Sequence, residues 1–197
     1  MQNLNALRRA AATLSMSLLL CTAVTPAFSQ VDDLQRIASR TTSVEHISIR
    51  SSLPFAQVKS NLEARIKRYP ASIAALVADG DSVRARAELE QLALPTGLTI
   101  LNSLNHGNAL AMVDGRKNLM QYGIGNVLTA TELTRHRPAA GLYAPIRVVL
   151  YEDSAGNTTF EYDRPSSNFA LFGNRDIDKV AQKLDLQLQT LLLEVSR

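Results

Sequence analysis

Apolar residues recur along this chain with two different periods, which predict both strands and helices. Residues 44–50 alternate between apolar and polar side chains, a pattern typical of a half-buried strand. Two longer segments place apolar residues three or four positions apart, which predicts helices with one buried face. The first helix follows Pro54 and stops or kinks at Pro70, and the second is capped by Asn174 or Asp176. The first stripe comprises Phe55, Val58, Leu62, Ile66 and Tyr69, and the second comprises Ile177, Val180, Ala181, Leu184, Leu188, Leu191, Leu192 and Val195.

Two shorter helices are predicted between the first helix and the next strand. Residues 71–78 are rich in alanine, and residues 81–94 carry apolar side chains at helical spacing. Asp79 and Gly80 separate the two segments, and the run from Pro95 to Gly97 ends the second. We therefore expect a helical hairpin at this point of the chain.

The second half of the chain is richer in strand patterns. A strand is predicted at residues 120–130, with a bulge or a close backbone approach at Gly123 and Gly125. The other predicted features are strands at 98–104 and 109–113 around a turn at 105–108, a hairpin of 146–152 with 158–163, and a loop at 164–167. We expect residues 98–163 to form the sheet. The order of elements predicts an α+β fold, with an antiparallel-rich sheet and helices packed on one face.

The first 29 residues have the pattern of a cleavable signal peptide. Arg8 and Arg9 provide positive charge, an apolar run of about 11 residues follows, and small residues at Ala27 and Ser29 fit a cleavage site. A membrane-spanning helix needs about 20 residues, so an uncleaved anchor is the alternative that this length disfavours. We expect a periplasmic or secreted protein with a mobile leader at residues 30–43, a domain at 44–197 and no stable membrane span after cleavage.

Charge and cysteine content narrow the classes of function. The chain has 21 basic and 18 acidic residues, so removal of Arg8 and Arg9 leaves 19 against 18 and no polybasic patch. Binding to nucleic acid is therefore not expected. The single cysteine, Cys21, lies in the signal segment after Leu20, where a lipoprotein signal would have a small residue. The mature chain then has no disulfide, thiol nucleophile or cysteine metal site.

Several short segments resemble one protein family. They are Leu53-Pro54-Phe55, Gly97-Leu98-Thr99-Ile100, Asn105-His106, Tyr122-Gly123-Ile124-Gly125-Asn126 with Thr129, residues 145–153, Gly156, and Tyr162-Asp163-Arg164-Pro165. Together they resemble the DUF302 family over residues 44–195. The resemblance implies a small α+β fold that is often dimeric and has no established activity. Residues 68–96 depart from the family pattern, which indicates that the helical hairpin is an insertion.

The candidate binding residues come from the segments that resemble the family and from the predicted hairpin. They are His106, Gly123, Asn126, Arg147, Glu152 and Tyr162. Arg147 and Glu152 lie five apart on one strand and so face opposite sides of the sheet. Arg147 is expected to form a cross-strand ion pair with Glu161 or Asp163.

The sequence leaves two interpretations of function open. His46, His106 and His136 are single and widely spaced, unlike zinc ligands, so we expect no metal and no cofactor. No catalytic constellation is evident, which favours a non-catalytic module that binds an unidentified small molecule or protein. The alternative is a metal-dependent or hydrolytic enzyme that uses His106 with Glu152 or Glu161.

Overall fold

One five-stranded antiparallel sheet forms the centre of the fold. The structure is a computed structural model that describes residues 36–197, and residues 41–197 form one compact unit. The strands are β1 His46–Ser51, β2 Thr99–Leu104, β3 Leu119–Gly125, β4 Ile146–Glu152 and β5 Thr158–Asp163. Their spatial order is β1-β5-β4-β3-β2. The predicted signal peptide lies outside the described residues.

Seven α-helices occur within the described residues. They are α1 Phe55–Arg65, α2 Ala71–Ala78, α3 Ser82–Leu92, α4 His106–Ala109, α5 Val127–His136, α6 Pro165–Phe169 and α7 Arg175–Val195. Short 3₁₀ segments cover Leu110–Met112, Pro138–Tyr143 and Ala170–Phe172. None of the helices in residues 36–197 is long and apolar enough to cross a membrane.

Helices pack on one face of the sheet, as the sequence predicts. In β4, Ile146, Val148 and Leu150 are buried, while Arg147 on the opposite face is exposed. The long helix α7 packs against α1, α5 and α6 over the buried face. Its predicted stripe is confirmed, because all its members except the half-buried Val180 are buried. The core therefore lies between the sheet and these helices.

The helical hairpin has a small core of its own. Helices α2 and α3 occupy the two predicted segments, and the Asp81 side chain accepts a hydrogen bond from the Arg84 N–H to cap α3. Ile73 and Leu89 are buried within this part of the chain but are not members of the main core cluster. Whether residues 68–96 are an insertion relative to other family members stays a prediction.

Four local predictions were wrong. The first helix ends at Arg65 and not near Pro70, and Tyr69 donates a hydrogen bond from its backbone N–H to the Ile100 carbonyl of β2.

The other three errors each follow from a helix start that the pattern of apolar residues does not record. Asn105 does not lie in a hairpin turn but accepts a hydrogen bond from the Asn108 N–H, which starts α4 in place of the predicted turn, and the 3₁₀ segment Leu110–Met112 replaces the strand predicted at 109–113. Asn126 accepts from the Leu128 N–H and ends β3, so residues 127–130 belong to α5 and not to a strand. The predicted loop at 164–167 contains the start of α6, with Pro165 in its first turn.

The register explains why β3 contains glycine. Strand β2 has a bulge between Ile100 and Asn102, opposite Gly123. A Cβ atom at Gly123 would lie 2.5 Å from Asn102 Oδ1 and 2.9 Å from Pro145 Cγ, both of which are too close. The close approach predicted for this segment is therefore confirmed. The sheet also extends beyond residues 98–163, because β1 pairs with β5.

Candidate ligand-binding site

An apolar cavity of about 140 Å³ lies beside the ends of β3 and β4. Its deep wall consists of buried side chains, including Ile124, Leu133 and Phe169. Its outer wall consists of partly exposed residues, which place the mouth of the cavity at the protein surface. The full lining is Leu101, Ile124, Gly125, Asn126, Val127, Thr129, Ala130, Leu133, Tyr143, Ala144, Pro145, Ile146, Phe169 and Leu184.

The turn at Asn126 shapes one side of this cavity. The side-chain oxygen of Asn126 accepts a hydrogen bond from the Leu128 N–H at 2.8 Å, and the side-chain amide of Asn126 donates one to the Gly97 carbonyl oxygen at 3.1 Å. These two bonds fix the angle at which α5 leaves β3, and that angle directs Leu133 towards the core. Asn126 therefore positions the wall of the cavity and has its own polar atoms satisfied within the protein.

The aromatic rings of Tyr143 and Phe169 form another part of the lining. Tyr143 contacts Phe169 edge to face, with ring centroids 5.8 Å apart, and contacts Phe172 in the same manner at 6.1 Å. Such edge contacts are favourable because the positive edge of one ring meets the negative face of another. The cluster holds the 3₁₀ segment Pro138–Tyr143 against α6.

A second, more polar pocket adjoins the cavity at the start of β4. Its lining includes the polar side chains of Arg147, Asp163 and Asn168. The two pockets share four lining residues, Tyr143, Pro145, Ile146 and Phe169. The apolar and the polar surfaces therefore meet around one strand end.

The uncovered face of the sheet carries a histidine between two carboxylates. His46 Nδ1 lies 2.9 Å from Asp163 Oδ1, and His46 Nε2 lies 3.4 Å from Glu161 Oε2. The hydrogen bond with Asp163 raises the pKa of His46, and Glu161 acts in the same direction. The Tyr151 hydroxyl donates to Glu161 at 2.9 Å, and this bond raises the pKa of Tyr151. Asp163 and Glu161 are thus already engaged by neighbours within the chain.

A separate polar cluster joins α1 to the covered face. The buried Tyr122 donates its hydroxyl to Glu63 Oε1 at 3.1 Å, and Lys59 and Arg68 also bind Glu63. Burial alone would raise the pKa of Glu63, but hydrogen bonds from Lys59 and Tyr122 and the charge of Arg68 hold that pKa below its usual range. Burial, followed by the charge of Glu63, raises the pKa of Tyr122. Glu63 therefore links α1 to β3 through Tyr122 and to Arg68 beyond the end of the helix.

The six sequence-predicted site residues do not converge on one position. Asn126 lines the apolar cavity and Arg147 lines the adjoining polar pocket, while Gly123 is the register neighbour of Arg147 on β3. Tyr162 is buried on the helix-covered face, where burial raises its pKa. Glu152 lies at the far end of β4, within 3.4 Å of the Asn118 amide.

Among the residues that the structure describes, His106 does not contact a carboxylate. Its Nε2 lies 3.2 Å from Gln121 Oε1 on β3. Glu161 belongs to β5, which is two strands away from β3, or about 10 Å at the usual strand spacing. Within residues 36–197 no three His, Cys, Asp or Glu side chains are grouped so that they could hold a metal ion.

The expected ion pair of Arg147 does not form. Within residues 36–197, Asp163 and Glu161 both lie within ion-pair distance of His46, and none of the ion pairs includes Arg147. Sequence reasoning also missed the cavity-lining residues Leu133, Tyr143, Phe169 and Leu184. One sequence signal could have indicated α5, the helix that forms part of the cavity wall. Asn126 is a favourable N-cap residue, and Leu133 follows it at helical spacing.

Comparisons with other proteins agree with this fold. A protein-family model described as "Domain of unknown function DUF302" matches residues 76–195, a segment that begins within α2 and includes α3. The crystal structure of an uncharacterized conserved DUF302 protein from Bacillus stearothermophilus is similar, with a TM-score of 0.54 and 14% sequence identity. That similarity covers 77% of this chain and 98% of the other chain. Among curated proteins, none matches. Because the family model matches more than half of the sequence, this chain belongs to the DUF302 family.

Proposed function

We propose that this DUF302 protein is an exported, non-catalytic binding module that holds a small molecule in the apolar cavity. The observation that carries the proposal is the cavity itself, about 140 Å³ in volume and lined almost entirely by apolar side chains. Apolar pockets with few polar groups are the usual form of small-molecule sites. The engaged polar atoms of Asn126 and the apolar deep wall favour an apolar ligand over a polar one.

The volume sets the size of the ligand. An apolar cavity of about 150 Å³ in another protein stays dry and binds benzene, so this cavity accommodates an apolar group of about six carbon atoms. Burial of such a group is favourable at about 25 cal/mol per Å² of apolar surface removed from water. Benzene and toluene are therefore suitable probes.

The experiment is a titration of isotope-labelled protein with benzene or toluene, in which amide chemical shifts are followed. We expect saturable shifts confined to β3, α5 and residues 143–146. An Ala130→Leu variant fills the cavity and is expected to lose these shifts, because Ala130 lines the cavity wall. Ala64→Leu is the matched control, since Ala64 is exposed on α1. Binding that is equally strong in the Ala130→Leu variant would show that the cavity is not the site.

Export is the second part of the proposal. It is supported by the charged start, the short apolar run and the small residues at Ala27 and Ser29. Mass spectrometry of the intact protein from the periplasmic fraction is expected to give a chain that starts near Gln30 or Val31. A cytoplasmic product that retains Met1 would contradict export.

A further inference from the structure

We propose that the ligand is a short amphipathic acid, whose apolar body occupies the cavity and whose carboxylate binds Arg147. This inference rests on the proposed function, because it assigns the class of ligand to the same cavity. It is carried by the polar pocket that adjoins the cavity and by the charges that line that pocket.

The first step concerns the path between the two pockets. Ile146 and Arg147 are consecutive in β4, so their side chains leave the sheet on opposite faces. Ile146 borders both pockets, whereas Arg147 borders only the polar one. Pro145 also borders both, and it immediately precedes the first residue of the strand. Pro145 and Ile146 therefore join the apolar lining to the pocket that Arg147 borders, and a ligand that extends along them contacts both.

The second step concerns the sign of charge that the polar pocket favours. Asp163 is the acidic residue of its lining, and its Oδ1 is engaged by His46 at 2.9 Å. Arg147 is exposed, and among residues 36–197 it forms no ion pair. Arg147 is thus the charged side chain of this pocket that is not engaged by another side chain of residues 36–197, whereas the Asp163 carboxylate in the same lining is held by His46. Arg147 presents a fork of N–H donors that fits a carboxylate, and the Asn168 side chain lies in the same lining.

The third step combines size and charge. The cavity accommodates an apolar group of about six carbon atoms, so hexanoate is a suitable test ligand in which an apolar body of that size carries a carboxylate. An alcohol of the same length would fill the cavity without the ionic contact. An amine of the same length would place a positive charge beside Arg147, which is unfavourable.

The experiment compares hexanoate, hexanol and hexylamine as ligands at one ionic strength and neutral pH. Because Arg147 is exposed, we expect hexanoate to bind about fivefold more tightly than hexanol. Hexylamine should bind more weakly than either. Arg147→Gln should remove the advantage of hexanoate and leave the affinity for hexanol unchanged. Arg50→Gln is the matched control, because Arg50 is exposed on β1 and borders neither pocket.

The outcomes separate this inference from the proposed function. If hexanol binds in the cavity and hexanoate binds no more tightly, the acid-binding inference is wrong and the apolar site stands. The same conclusion follows if Arg50→Gln reduces the affinity for hexanoate as much as Arg147→Gln does. A preference for hexylamine would also overturn it. If none of the three ligands binds, both proposals fail. Thermal melting of each variant confirms that the fold is retained.

Discussion

Val148 lies in the middle of the central strand β4, and its side chain has no solvent-exposed surface. Its register neighbours are Tyr122 on β3 and Tyr162 on β5, and α1 packs over this strand. Replacement of Val148 by Asp places a carboxyl group among these side chains. Val149→Asp makes the same chemical change one position later, on the uncovered face beside Gln121 and Glu161.

The magnitude of the Val148→Asp effect follows from two terms. The loss of the buried valine side chain lowers the free energy of unfolding by about 2 kcal/mol. A carboxyl group buried without a partner must be neutral, and protonation of an aspartate of ordinary pKa at pH 7 requires about 4 kcal/mol more. The sum of about 6 kcal/mol is comparable to the whole stability of a domain, which is about 5–15 kcal/mol.

The assay is urea unfolding of both variants at about pH 7 and about pH 5. Val149→Asp is expected to lose about 1 kcal/mol or less, largely through repulsion by Glu161. In Val148→Asp the folded state holds a proton that the unfolded state has released at pH 7. Its deficit should therefore shrink by about 1.4 kcal/mol for each unit that the pH falls within this range.

Two results would refute this reasoning. Similar unfolding midpoints for the two variants would mean that the two faces of β4 are assigned wrongly. A Val148→Asp deficit that does not depend on pH would mean that the carboxylate remains charged and has reached water or a cation.

Three further predictions concern other parts of the fold. Tyr122→Phe removes a hydrogen-bond donor to Glu63 and should lower the free energy of unfolding in urea by about 1 kcal/mol. The pKa of Glu63 is depressed, so the stability that this carboxylate contributes is present at neutral pH and is lost as the pH falls through its folded-state pKa. The variant should therefore lose less stability than the parent protein when the pH is lowered. The pKa of His46 is raised, so the stability that its protonated ring contributes is present at acidic pH and is lost as the pH rises through its folded-state pKa. In an Asp163→Asn variant, NMR titration should show the pKa of His46 closer to its usual value. A protein in which a Gly/Ser linker replaces residues 68–96 should still unfold cooperatively on heating, because the buried side chains of α2 and α3 lie outside the main core cluster. Circular dichroism measures this transition.

The spacing of apolar residues was sufficient to predict the helices and strands that bury one face in the main core. The stripe of α7 and the alternation along β4 are confirmed, because each records directly which side chains leave water. The predicted cap at Asn174 is confirmed as well, since its side chain accepts from the Asp176 and Ile177 N–H groups. The α+β class and the helices on one face follow from these elements.

Segments with a single strong capping residue were harder to predict. Residues 127–136 contain β-branched side chains that favour a strand, yet they form α5 because Asn126 accepts a hydrogen bond from the Leu128 N–H in the first turn and Leu133 is buried. Asn105 acts in the same way for α4. In both cases one side-chain hydrogen bond outweighed a weak preference for extended structure.

The chemistry of the surface was decided by the tertiary structure. Strand order places β1 beside β5, so His46 takes Asp163 and leaves Arg147 without the partner that the β4–β5 hairpin alone predicts. The residues that line the apolar cavity likewise come from strands and helices that are far apart in the chain. The sequence by itself determined which faces are buried, because burial leaves a local period. Which side chains meet depends on strand order and on the angles between helices, and those are fixed only when the whole core packs.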